Sequence, residues 1–345
     1  MRRLLRGLAV VVLVTAGALW GLVSWLDGQA RSPFRGYDGE ARFVHIEPGS
    51  GVAAIGRRLA EAGVVRDLRT FRWAVWREDA ARRLQAGEYR FESALSAREV
   101  VDTLARGDVQ LWPVTFPEGL TIAAMGQVFE KAGFGAADDF VKASRATAPI
   151  ADLDPDAEDL EGYLFPDTYA LPRGATAARV ARLMVSRFRE SFGPSLREEA
   201  ARLGLSVRQA VTLASLVEKE TARADERATV SAVYHNRLRR GMLLQCDPTV
   251  IYALERAGSY DGNVRRQDLS FDSPYNTYRH PGLPPGPIAA PGRAALEAAV
   301  RPADVTYLYF VSRNDGSHVF ATTLREHNAN VRQFQLRYFR ERRGR

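Results

Sequence analysis

The sequence predicts an α+β protein with a single N-terminal transmembrane helix followed by a small and a larger mixed α+β unit. Three observations carry this reading. At 345 residues the chain exceeds the usual size of one compact core. Residues 7–26, GLAVVVLVTAGALWGLVSWL, are uncharged and as long as an α-helix must be to cross ~30 Å of hydrocarbon. Beyond them, helical periodicities alternate with short strand-like runs, and one strand–turn–helix unit occurs twice. The expected division is a cytoplasmic stub over 1–6, the anchor over 7–26, a linker over 27–40, a small region over 41–146 and a larger domain over 147–345.

Arg2, Arg3 and Arg6 precede the apolar stretch and place the N-terminus in the cytoplasm, while Trp20 and Trp25 lie toward the far interface. A cleaved signal peptide has an apolar stretch of roughly 7–15 residues and a small-x-small site. This stretch is longer, with only a poor site near Gln29-Ala30, so the helix is expected to remain as an anchor. Everything from Asp27 onward is then extracytoplasmic. Cys246, the single cysteine, excludes an internal disulfide. The net charge of +7 comes from arginine without a basic stripe of interleaved aromatics, which argues against a nucleic-acid partner.

The repeat pairs VHIEPGSGVAAIGRRLAEAG (44–63) with VTFPEGLTIAAMGQVFEKAG (114–133), without a gap. Val44/Val114, Gly49/Gly119, Gly56/Gly126 and Gly63/Gly133 are among the identities. Each copy reads as a strand, a glycine turn, an amphipathic helix and a C-terminal glycine, followed by a second helical stretch (66–82 and 136–146). AGEYRF (86–91) looks like a closing strand for the first copy, with one more helix in SAREVVDTLARG. This order resembles the LysM module, a small glycan-binding fold. The acidic run TAPIADLDPDAEDL (147–160) lacks the turn glycine and bidentate glutamate of a calcium loop and reads as solvated acid.

Helices are expected at 176–192, 195–203, 207–222, 226–240, 248–257 and 292–300. A hairpin turns at Asn-Asp-Gly (314–316), and a final helix starts near Leu324, the basic tail RYFRERRGR extending it. No Ser-x-x-Lys, no Gly-x-Ser-x-Gly and no metal-ligand spacing among the five histidines is present, so carboxylates carry the chemistry and no metal or cofactor is expected. Ser206 and Gln209 form a capping box that opens the helix of LASLVEKE. At ~100° per residue, Glu218 shares a face with Val211, Ala214, Ser215 and Ala222, whereas Glu220 points elsewhere. Burial at the edge of this apolar segment raises the pKa of Glu218, as an acid for glycosidic cleavage requires. Helix geometry alone leaves open whether Glu218 is that acid or a cap for a neighbouring loop. Asp225 is expected to cap the next helix and Asp247-Pro248 to start another.

LEGYLFPDTY (160–169), LASLVEKE (213–220), NRL…GM-LQ-DPTV-Y (236–252), SPYNTY…GLPPGPIA (273–289) and HVFATTLREHN (318–328) together resemble the endolytic lytic transglycosylase family (MltG or YceG-like). Cys246 and Ala290 stand where the family often has other, polar side chains. The resemblance implies an inner-membrane enzyme with a periplasmic catalytic domain. Its substrate would be nascent peptidoglycan glycan strands, cut between N-acetylmuramic acid and N-acetylglucosamine with 1,6-anhydro ends. It further implies peptidoglycan synthases as partners, and Glu218 as a lone catalytic glutamate serving first as acid and then as base. Glu161, Tyr163, Asp167, Tyr169, Ser215, Gln245, Asp247, Thr249, Tyr252, Tyr275, Asn276 and Thr277 are the expected substrate-binding residues. Two rivals remain. One is a two-carboxylate hydrolase with Glu161, Asp167, Glu220 or Asp247 as partner. The other is a non-catalytic, membrane-anchored glycan-binding scaffold for wall synthesis.

Overall fold

The computed structural model describes residues 2–337; Met1 and residues 338–345, with most of the basic tail, lie outside it. The chain separates into two units, Met1–Trp112 with Ala170–Gly174, and Pro113–Tyr169 with Ala175–Arg345.

In the first unit, α1 (Arg2–Arg31) contains a stretch, Ala9–Arg31, long and apolar enough to cross a membrane. Leu13 and Trp20 on it are 71% and 74% exposed, as side chains outside any protein core would be. The helix continues past the expected span. Ala30 is buried, Asp27 pairs with Arg31 and Arg98, and Tyr37 donates its hydroxyl to the Phe91 carbonyl at 2.9 Å. Within the stretch expected as a linker, Ala30 and Tyr37 are buried while most of the other residues are exposed.

β1 (Arg42–Ile46), α2 (Val52–Glu61), α3 (Leu68–Arg77), β2 (Gly87–Phe91) and α4 (Ala97–Arg106) follow. β1 and β2 pair antiparallel with Val44 opposite Tyr89. The period-2 alternation buries Val44, Ile46, Tyr89 and Phe91 against Ile55, Leu59, Phe71, Val100 and Leu104 of the helices. A Ser96–Glu99 capping box starts α4, and left-handed Gly107 (φ 71°) ends it. The expected strand–helix–helix–strand order is present.

β3 (Leu111–Thr115), α5 (Ile122–Lys131) and α6 (Ala137–Ala143) repeat it, and β4 (Thr168–Pro172) pairs with β3. The repeat glycines have a packing reason. A Cβ on Gly56 would lie 2.7 Å from both Leu68 and Phe71, and one on Gly126 would lie 2.9 Å from the Ala137 carbonyl oxygen. In each copy the first helix meets the second through this gap.

The second unit continues with α7 (Ala177–Ser191), α8 (Pro194–Arg202), α9 (Val207–Glu220), α10 (Arg227–Arg239), α11 (Asp247–Arg256), α12 (Arg293–Val300), β5 (Tyr309–Ser312), β6 (His318–Ala321) and α13 (Leu324–Val331), the last running into a π-helical turn, Arg332–Arg337. α9 is central: residues 210–217 are all buried, and α8, α10, α11 and α12 pack around it. The Ser206–Gln209 box is formed, and Pro248 sits in the first turn of α11.

Three expectations are corrected. α9 ends at Glu220 with extended Thr221 beyond it, so Ala222 is not on its face. Asp225 does not cap α10; it pairs with Arg223 at the surface. Glu226 takes the cap position and sends its carboxylate to His318, accepting from the backbone N–H at 3.0 Å and meeting Nδ1 at 2.7 Å. The acidic run is also less solvated than expected: Asp152 pairs with Arg189, and buried Asp154 accepts from Arg208 Nε at 2.9 Å and from the Tyr163 hydroxyl at 2.6 Å.

Gly126→Ala should destabilise the second unit by ~1–3 kcal/mol, because the clashing atom is backbone that moves only with α6. An unchanged unfolding midpoint in denaturant would show that α5 and α6 do not need this close approach.

Candidate active site

α9 carries Glu218 out of the buried segment in its last turn, where the residue is half-buried. The backbone N–H of Gly292 donates to Oε2 of Glu218 at 3.0 Å. Oε1 has no hydrogen-bond partner among the described residues. Burial pushes the Glu218 carboxyl above the usual range, the Gly292 bond opposes it, and the neighbouring Glu118 charge adds to the rise; Arg227 and Lys219 act weakly the other way.

Two connections build this corner. The turn before α5 is bonded to the proline-rich segment before α12, Gly119 N–H to the Ala290 carbonyl and Ala290 N–H to the Leu120 carbonyl, each at 2.8 Å. Gly119 (φ 74°) takes a conformation that L side chains avoid. A Cβ there would lie 3.8 Å from Glu218 Cγ, so the turn passes directly over the carboxyl-bearing side chain. Lys219 Nζ donates to the Gly119 carbonyl at 3.1 Å.

Glu118, on this turn, is the neighbour that the motifs do not single out. Its signal lies in the repeat, where IEPG of the first copy (46–49) becomes FPEG (116–119) in the second, so Glu118 replaces Pro48.

The expected binding residues fall into separate groups, and none is among the groups facing Glu218. Ser215 lies under the corner: its hydroxyl donates to the Thr212 carbonyl at 2.7 Å and accepts from Ile288 N–H at 3.0 Å, tying the proline-rich segment to α9. Gln245, Asp247, Thr249, Asn276 and Thr277 form one knot. Thr277 Oγ1 accepts from Cys246 N–H at 3.0 Å and meets Thr249 Oγ1 at 2.9 Å. Left-handed Gln245 (φ 52°) donates its N–H to the Thr277 carbonyl at 3.1 Å. Asn276 is fully buried and donates to the Leu269 and Phe271 carbonyls, while Asp247 accepts from the Tyr278 hydroxyl. Tyr169 is buried with its hydroxyl on the Phe165 carbonyl, and Asp167 pairs with Arg187.

Glu161, Tyr163, Tyr252 and Tyr275 gather elsewhere. Glu161 is buried and accepts the Ile122 N–H with both oxygens at 3.2 Å; the Tyr252 hydroxyl approaches Oε2 at 3.4 Å. It anchors the first turn of α5, just beyond the Glu118 turn. Tyr252 and Tyr275 lie 5.0 Å apart with Arg256 over both rings. Clefts of about 450 Å³ and 550 Å³ share Glu158, Asp159, Glu161 and Arg256 in their walls, and Tyr163 and Tyr275 line the first, Tyr252 the second.

Glu220 is half-buried. Its carboxylate accepts the Tyr234 hydroxyl at 2.7 Å beside Cys246, and burial pushes it up. Of the four partners considered for a two-carboxylate hydrolase, Glu161, Asp167, Glu220 and Asp247, each is engaged in these other contacts; the carboxylate beside Glu218 is Glu118.

The YceG-like family model matches residues 44–333, a span that includes Glu118, Glu218 and Gly292. The chain belongs to the YceG-like family. An endolytic murein transglycosylase of Bacillus subtilis is 33% identical over 310 residues, covering 83% of this chain and 82% of its own length. One of Streptococcus pneumoniae is 29% identical, covering 94% of this chain and 63% of its own. Among solved structures, a yceG-like protein of Listeria monocytogenes matches with a TM-score of 0.57 at 30% identity, over 84% of this chain and 98% of that one.

Burial pushes the Glu161 carboxyl up to about 8, against the lowering effect of the Ile122 bond. From the ordinary range near 4.5 up to about 8 the folded chain keeps this proton while the unfolded chain has released it. Stability then falls as pH rises through that window, by up to ~1.4 kcal/mol per pH unit. Glu161→Gln, whose amide oxygen can still accept from Ile122, should flatten the fall, gaining on the wild type between pH 5 and pH 8. Denaturant midpoints at the two pH values check this, and parallel losses in both proteins would refute it.

Proposed function

We propose that the protein is an endolytic murein lytic transglycosylase in which Glu218 alone transfers the protons. The observation that carries this reading is the asymmetry of its carboxyl group. Oε2 accepts the Gly292 N–H, which suits the carbonyl oxygen of a protonated acid and leaves the hydroxyl on Oε1, the oxygen without a partner. Burial favours the protonated form. Oε1–H donates to the glycosidic oxygen as the bond from C1 of N-acetylmuramic acid breaks. The resulting carboxylate removes the proton of the C6 hydroxyl of the same sugar, whose oxygen closes onto C1 to give the 1,6-anhydro end. One proton leaves Glu218 and one returns, and no water is consumed.

The same reading places the N-terminal helix in the bacterial inner membrane as a single-pass anchor, with the units beyond it in the periplasm beside nascent strands and peptidoglycan synthases. The Arg2, Arg3 and Arg6 flank and the exposed apolar face of α1 support that orientation. The strand–helix–helix–strand units supply LysM-like glycan contacts, supported by their order and the β1–β2 pairing. The buried knot of Thr249, Asn276 and Thr277 acts by shaping the groove, and exposed Gln245 and Asp247 meet the sugar.

The rival with a specific observation behind it is hydrolysis, with Glu118 activating water beside Glu218. Mass spectrometry of products from uncrosslinked glycan separates the two, since hydrolysis adds water and ring closure does not. The expected outcome is anhydro ends with the wild type and a loss of about 10²–10⁴-fold in Glu218→Gln, with folding unchanged by circular dichroism. Reducing muramyl ends would establish hydrolysis; undiminished cleavage by Glu218→Gln would remove that residue from the chemistry.

A further inference from the structure

Gly292 shows why Glu118 stands where it does. Its backbone (φ −74°, ψ 171°) is one that any residue adopts, so conformation does not require glycine there. Space does. A Cβ built on Gly292 would lie 1.8 Å from Oε1 and 2.1 Å from Cδ of Glu118. The Glu118 carboxylate thus rests on the Cα of the residue whose N–H holds Glu218, and among the described residues it makes no hydrogen bond or ion pair of its own. Nothing in the fold needs a carboxylate at this point, since the equivalent turn in the first repeat is built with Pro48.

Four groups face Glu218 from the elements around it. Lys219 on its own helix, Arg227 on α10 and the Gly292 N–H at the start of α12 favour the anion, whereas Glu118 on the turn before α5 opposes it. Arg227 also has its Nε buried without a hydrogen-bond partner among the described residues. Without Glu118, every charged or dipolar neighbour would draw the proton off.

We propose that Glu118 is a positioning residue of the proposed transglycosylase, holding the proton on Glu218 until the glycosidic oxygen takes it, and that Gly292 is glycine to admit it. This rests on Glu218 being the acid. The same negative charge serves the second half-reaction, because a Glu218 carboxylate beside another carboxylate is the stronger base toward the C6 hydroxyl. Glu118 itself neither gives nor receives a proton.

The test uses the full-length protein in detergent micelles, with initial rates on uncrosslinked glycan between pH 4.5 and 8.5 for the wild type, Glu118→Gln and Gly292→Ala. The alkaline limb of the kcat profile is expected to move to lower pH in both variants. At pH 7.5 Glu118→Gln should lose about 3- to 10-fold, the loss shrinking toward pH 5.5, with kcat rather than KM carrying it. Gly292→Ala covers the case in which Glu118→Gln fails to fold, since it leaves the charge in the chain and only pushes the side chain away. An unmoved limb in both variants overturns the proposal, and so does a uniform loss of about 10²–10⁴-fold at every pH, which would make Glu118 a proton-transfer group. Carboxyl ¹³C titration of Glu218, assigned by its absence in Glu218→Gln, reads the coupling without turnover. If Glu218→Gln cleaves normally while Glu118→Gln still moves that titration, the function assigned to Glu218 fails and the coupling stands.

Discussion

The pair of 2.8 Å bonds between Gly119, Leu120 and Ala290 joins two segments that are far apart in the chain and have little regular structure of their own. On one side is the turn that opens α5; on the other is the proline-rich run that opens α12. Each is pinned from behind. Glu161 holds the first turn of α5 through the Ile122 N–H, and Ser215 holds Ile288 from within α9. The corner over Glu218 is therefore tied from both sides without any strand or helix passing through it. Prolines in the run remove backbone donors and fix φ, so few alternative pairings compete with these bonds. A glycine on each side, Gly119 and Gly292, lets the backbone come close enough to touch a carboxyl group.

Burial alone does not distinguish the three raised glutamates. Glu161, Glu218 and Glu220 all have carboxyl groups pushed up chiefly by desolvation. What separates them is the use of their oxygens. Both oxygens of Glu161 are spent on the Ile122 N–H, and Glu220 is closed in by the Tyr234 hydroxyl and Cys246. Glu218 is half-buried, and its Oε1 has no hydrogen-bond partner among the described residues. A neutral carboxylic acid with one oxygen occupied and the other available has a defined donor atom, and acid catalysis at a fixed glycosidic oxygen needs that.

Local patterns made much of the second unit legible before its contacts were known. The Ser206–Gln209 box, the apolar run 211–217 and Asp247-Pro248 locate α9 and α11 because capping and periodicity are short-range properties. The position of Glu218 at the edge of the buried run was legible for the same reason. The contacts of Asn276, Thr249 and Thr277 were not: these residues sit in polar, loop-like sequence that suits a sugar groove, and their side chains bond to the backbone around them and to one another. A polar residue that satisfies buried backbone and one that meets a ligand look alike until the partners are counted. β4 escaped because its partner β3 lies far back in sequence, and Asp225 misled because Glu226, one residue later, is drawn to the cap position while its side chain is held by His318.

The repeat adds a physical reason for Glu118. Both copies need a left-handed glycine between strand and helix, at Gly49 and Gly119, and both need a gap at the first helix, at Gly56 and Gly126. Those shared glycines account for folding. The residue before the turn glycine is under no such demand, and there the copies diverge, Pro48 in one and Glu118 in the other. The helix start diverges too. Thr121 caps α5 through Ala124 N–H at 3.2 Å, where Gly51 offers α2 no side chain. The capped helix start and the pinned turn flank the residue at which the copies diverge, and so hold the Glu118 backbone in place. The copy with Glu118 is the one whose turn lies against Glu218.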